Sequence, residues 1–129
     1  MKNAKRILAA TLSMIMLIAT MVVPASAVTG SKSYSGEAGD YKYTFTLSIT
    51  DTSAIGTVDS SNHGILVSDP NCSVGGYVTY IDGKGQLHTE AFYGSGTTYC
   101  IASVNNIQGT TQSAKADFIF LSKTYTLSV

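Results

Sequence analysis

The sequence predicts an all-β fold: a small β-sandwich, with a barrel as the alternative, of about seven to nine short, mainly antiparallel strands and one disulfide. Three observations predict it. The first is the segment Tyr41–Thr50, in which Tyr41, Tyr43, Phe45, Leu47 and Ile49 alternate with Lys42, Thr44, Thr46, Ser48 and Thr50. A period of two places one set against a core and the other on the opposite side. The second is the recurrence of β-branched and aromatic runs between clusters of Gly, Asn, Asp and Ser, with no amphipathic helix pattern after residue 27. The third is a single cysteine pair, Cys72 and Cys100, in a chain that opens with an export signal.

Taken in order, Ser31–Ser35 is a weak edge strand, and Gly-Glu-Ala-Gly-Asp turns the chain into the strand Tyr41–Thr50. A short strand follows near Ala54–Val58, and then a polar loop. Ile65–Ser68 is a brief apolar strand ended by Asp69-Pro70-Asn71, where proline pre-sets φ and aspartate accepts a local hydrogen bond. Residues 73–82 and 86–93 flank Gly83-Lys84-Gly85 and read as a β-hairpin. Residues 97–104 form another strand, and Asn105–Gly109 turns the chain again.

The last section, residues 113–129, has two readings: one bent strand, or a hairpin turning near Leu121–Lys123. Its apolar parity changes, from Ala114, Ala116, Phe118 and Phe120 to Tyr125, Leu127 and Val129. A shift of one residue moves every side chain to the other face, so a bulge or turn must intervene, although Leu-Ser-Lys is poor turn chemistry. The likeness of residues 43–49 to 123–129 is what strand propensity alone produces.

Residues 1–27 read as a cleaved secretory signal: Lys2, Lys5 and Arg6, an uncharged run from Ile7 to Val23, then Pro24 and Ala25-Ser26-Ala27. The expected product is a single domain, residues 28–129, secreted and extracellular, with no membrane span. Its five lysines face eight acidic residues, a net charge of −3. The lysines are scattered, so nucleic acid and anionic membranes are not expected partners.

In an oxidising compartment Cys72 and Cys100 are expected to pair. A simple meander of the strands after Cys72 would leave Cys100 two strands across and several residues along, beyond the ~7 Å Cα reach of a disulfide. The strand carrying Cys100 is therefore expected to cross to the opposite sheet, or the segment at Cys72 to fold over. The immunoglobulin hallmarks are missing: no tryptophan lies between the cysteines, and Tyr99 immediately precedes Cys100.

No pattern of residues points to catalysis, a cofactor or a metal. A disulfide would consume both thiols, no G-x-S-x-G elbow exists, and the aspartates lack calcium-loop spacing. His63 lies in a polar loop. His88 and Glu90, two apart on one strand, supply two ligands where zinc sites use three or four. The candidate surface residues are therefore Thr44, Thr46, Ser48, Thr124 and Thr126, whose ladders could form flat hydroxyl faces, together with His88 and Glu90. The function expected is a non-catalytic extracellular protein that binds a protein or glycan partner through a sheet face or loops. A secreted bacteriocin-like or toxin effector is the alternative, and a small secreted enzyme the third reading.

Overall fold

A computed structural model describes residues 26–62 and 70–129. The signal segment up to residue 25, His63 and the expected strand at 65–68 lie outside the described residues. The described chain forms eight antiparallel strands and no helix: β1 (Gly30–Ala38), β2 (Tyr41–Thr50), β3 (Ser53–Asn62), β4 (Asn71–Ile81), β5 (Leu87–Thr97), β6 (Tyr99–Val104), β7 (Thr110–Phe120) and β8 (Lys123–Ser128). No helix among the described residues is long and apolar enough to cross a membrane.

The strands divide into two four-stranded sheets, ordered β1-β2-β3-β6 and β5-β4-β7-β8. The sheets pack face to face as a sandwich. The alternation in β2 does what its period requires: Tyr43, Phe45, Leu47 and Ile49 are buried. They meet Val74, Val78, Ala114, Ala116, Phe118 and Phe120 of the second sheet in one core. Phe45 and Phe118 stack across it with centroids 5.3 Å apart. Burial at roughly 25 cal/mol per Å² of apolar surface makes this layer stabilising.

The C-terminal parity change is a hairpin. β7 ends at Phe120 and β8 begins at Lys123, with Leu121 in the left-handed region at φ 52°. Tertiary pairing with β7 therefore overrides poor local turn chemistry. β7 also starts earlier than its hydrophobic pattern suggests, because a bulge opposite Thr79/Tyr80 brings Thr111 to the inner side as well as Ala114. Thr111 is fully buried; its Oγ1 lies 2.5 Å from the Thr50 carbonyl and 3.2 Å from that of Val28. The Val28 N–H returns a 2.9 Å bond to the Thr111 carbonyl. A buried hydroxyl is tolerated only with such partners, and here it ties the chain before β1 to the end of β2.

The two sheets are also linked along both sides. β5 passes to β6, and so from the second sheet to the first, through Thr98 alone. A Cβ on Gly94 would lie 2.0 Å from the Ile101 carbonyl oxygen, and one on Gly96 2.3 Å from that of Tyr99. Only glycine lets the two backbones approach so closely. On the other side Tyr34 of β1 stacks on Tyr125 of β8, centroids 3.9 Å apart.

Candidate functional site

The crossing at Thr98 brings the two cysteines together. Cys72 lies on β4 in the second sheet and Cys100 on β6 in the first, so the strand carrying Cys100 does change sheets. The expected disulfide is not formed: both are buried free thiols that approach to 3.2 Å. That separation is longer than the ~2.05 Å of a covalent S–S bond. Burial, then the hydrogen bond and charge of Cys72, push the Cys100 thiol up to about 12. Cys100 is therefore held in the poorly nucleophilic thiol form.

Above this pair, on the outer face of the second sheet, lies an open groove of about 620 Å³. Short side chains on β4 and β5, Ser73, Ser95 and Gly96, leave its centre low, while Tyr93, Ile119 and Leu121 stand around it. Asn71 and Thr97 complete the polar part of the lining. Strand alternation turns this set outward: Gly75 pairs with Tyr93, Ser73 with Ser95 and Asn71 with Thr97. Gly75 gives Tyr93 a seat, since a Cβ there would come within 3.3 Å of the tyrosine Cδ2. The Tyr93 ring is nonetheless 73% exposed, and Tyr77 stands on the same face, 44% exposed.

The neighbouring turns are strained. Thr98 (φ 61°) and Leu121 (φ 52°) are non-glycine residues in the left-handed region, and Thr98 is β-branched. Each such residue costs about 1–3 kcal/mol and persists only where its surroundings hold it. Thr98 is held by its N–H to the Pro70 carbonyl (3.0 Å) and by the Ser60 hydroxyl on its own carbonyl (2.6 Å).

The surface residues singled out in the sequence fall in three separate places. Thr44, Thr46 and Ser48 face outward from the first sheet, beside Ser35, Ser33 and Ser31 of β1. Their hydroxyls partly satisfy one another, Ser35 with Thr44 (2.9 Å) and Ser31 with Ser48 (2.8 Å). Thr124 and Thr126 lie on the outer face of the second sheet, paired with Ile119 and Asp117, and Thr126 donates to the Asp117 carboxylate. The two threonine ladders are thus on opposite sides of the molecule and form no continuous surface.

His88 and Glu90 sit on β5 near the β4–β5 turn. The partner of His88 is Asp82, with Nε2 2.7 Å from Oδ2, and its ring stacks on Tyr80 at 5.2 Å. The other Asp82 oxygen accepts the N–H groups of Lys84 and Gln86. The Gln86 N–H, followed by the His88 bond, holds the Asp82 carboxyl below its ordinary range. This arrangement closes the hairpin. Among the described residues no group of three His, Cys, Asp or Glu could hold a metal ion.

Sequence reasoning missed the groove. The outward parity of Tyr77 and of Tyr93, Ser95 and Thr97 is readable along each strand, but their meeting depends on β4–β5 register and on which sheet face is left uncovered. No family model, curated protein or solved structure matches this chain.

Proposed function

We propose that this chain is a small secreted protein without catalytic activity, released after cleavage behind Ala27, that binds an extracellular protein or glycan through the outer face of its second sheet. The observation that carries this reading is the groove lined by Tyr93, with Tyr77 on the same face. Exposed tyrosines supply contact area at low entropic cost and a polar tip for orientation. The sparse, mildly negative charge suits recognition by shape and hydrogen bonding over recognition by charge.

Cys72 and Cys100 form a disulfide in this exported form. The bond forms before the strands close over the pair: a thiolate of one cysteine attacks a small-molecule or oxidoreductase disulfide, and the second cysteine resolves the mixed disulfide, releasing the oxidant as two thiols. The bond stabilises the fold by roughly 3–4 kcal/mol for a loop of this length in the chain-entropy model.

A glycan array and a pull-down from neighbouring cell surfaces, both with the secreted protein, test the binding reading. Capture that is lost in a Tyr77→Ala/Tyr93→Ala double variant supports it. Failure to capture any partner, together with turnover of a substrate by the purified protein, overturns it. Intact mass of the secreted form checks the disulfide, which makes it lighter by two hydrogens.

A further inference from the structure

We infer that the groove beside Tyr93 is a subsite for a neutral sugar unit of an extracellular oligosaccharide, with the Tyr93 ring as its stacking surface. This rests on the reading that the second sheet binds a partner, and it selects glycan over protein.

Among the described residues the lining carries no Asp, Glu, Lys or Arg; its polar groups are those of Asn71, Ser73, Ser95 and Thr97 around Tyr93. A charged ligand would find no counter-charge among these residues. The nearest acidic residue along the row of Tyr93 and Gly75 is Asp117, whose carboxylate already accepts the Thr126 hydroxyl.

Several hydroxyls elsewhere on the molecule are engaged with one another. Ser31 bonds Ser48, Ser35 bonds Thr44, Thr50 bonds Ser53 and Thr79 bonds Ser113. The groove gathers polar side chains that are not engaged in this way. Among the described residues, the side chains of Asn71, Ser73, Ser95 and Thr97 make no hydrogen bond within the protein. Four uncharged groups that both donate and accept therefore converge around one exposed ring.

A pyranose has the complementary chemistry: an apolar C–H face to lie on an aromatic ring, and a rim of neutral hydroxyls that both donate and accept. An apolar anchor side chain in the groove would leave these amide and hydroxyl groups unpaired, which is costly on desolvation, and a charged one would find no counter-charge among them. The volume of about 620 Å³ lies within the range of small-ligand sites. The ring leans on Gly75 while 73% exposed, so it is positioned before a ligand arrives.

The test is an amide-resolved NMR titration of the secreted protein with β-1,4-linked hexaoses of glucose, xylose and N-acetylglucosamine, with hexagalacturonate as an anionic probe. The expected result is that a neutral probe shifts the amides of Ser73, Ser95 and Thr97. Tyr93→Ala then weakens binding about tenfold or more, and Asn71→Ala weakens it about threefold or more. Tyr99→Ala, on the first sheet, leaves it unchanged. No groove shift with any neutral probe, shifts confined to the first sheet, or binding of hexagalacturonate alone overturns the sugar subsite. If the sugars are silent while a protein partner is captured through Tyr77 and Tyr93, the subsite falls and the broader binding function stands. If neither sugar nor protein binds, both fall.

Discussion

The ring of Tyr34 lies on that of Tyr125 with centroids 3.9 Å apart and planes 9° from parallel. The two residues belong to β1 and β8, edge strands of different sheets, so this pair joins the sandwich where no backbone ladder does. Both rings remain more than a third exposed. Their value therefore lies in stacking and partial burial. Tyr125→Ala should lower unfolding stability by about 2 kcal/mol, and a double-mutant cycle with Tyr34→Ala should show a coupling of about 1 kcal/mol. Urea denaturation of the four proteins measures both; strictly additive losses would mean that the stack contributes nothing beyond area.

The opposite side of the sandwich carries the thiol pair, and its titration has a defined sign. Cys100 in the folded, reduced protein ionises only at about 12, whereas an unfolded thiol ionises near 8.5. The unfolded state loses its proton first. Stability of the reduced protein should therefore be complete below pH ~8.5 and fall progressively as pH rises from there towards 12. Denaturation midpoints across alkaline pH, with and without reductant, check this. The oxidised protein has no thiol to ionise and lacks this contribution to the slope, while Tyr43, raised chiefly by burial and then by Tyr34, contributes in both forms.

At acid pH the informative group is Asp82. Its folded carboxyl lies below the ordinary value, held first by the Gln86 N–H and then by His88. A depressed folded value gives stability that is present above the unfolded value of about 3.9 and is lost as pH falls through the folded one. Asp82→Asn should thus be less stable than the parent near neutrality, with the gap closing below pH ~4. Thermal unfolding of both proteins across that range tests it, and a gap that does not change with pH would mean that the carboxylate charge plays no part.

Gly94 sets how closely β5 can approach β6. A methyl group there would meet the Ile101 carbonyl oxygen at 2.0 Å, and backbone has nowhere to move. Gly94→Ala should cost about 3 kcal/mol or more. Gly83, with nothing within 4 Å of an added Cβ, is the control: Gly83→Ala should shift stability by about 0.5 kcal/mol or less. Equal losses for the two variants would contradict the close approach.

Much of the architecture was legible strand by strand. The alternation of β2 named its buried set, and the even-numbered core side of β7 from Ala114 to Phe120 was readable before any pairing was known. The expected disulfide left two arrangements, a sheet change by the strand of Cys100 or a fold-over at Cys72; that strand does change sheets, although the thiols are not bonded. The bulge that buries Thr111 was not legible, because it answers to β4 across the ladder and leaves no mark in the local pattern. The C-terminal turn remained open between two readings for a related reason: Leu121 adopts a left-handed conformation that its own chemistry disfavours.

The candidate site was the least legible part. Thr44 and Thr124 attracted notice as ladders, yet they face away from each other, and His88 turned to Asp82 within its own hairpin. Tyr93, Ser73, Ser95 and Asn71 come from two strands whose register places them side by side.

By itself the sequence determined the all-β class, the approximate place of most strands and the apolar side of β2 and β7, because a period of two is a local property of the chain. Only the tertiary structure decided which outward faces share a surface, which hydroxyls are already engaged, and that the two thiols meet beneath a groove. Those relations depend on register and on the sheet crossing at Thr98, and they join residues that no local pattern connects.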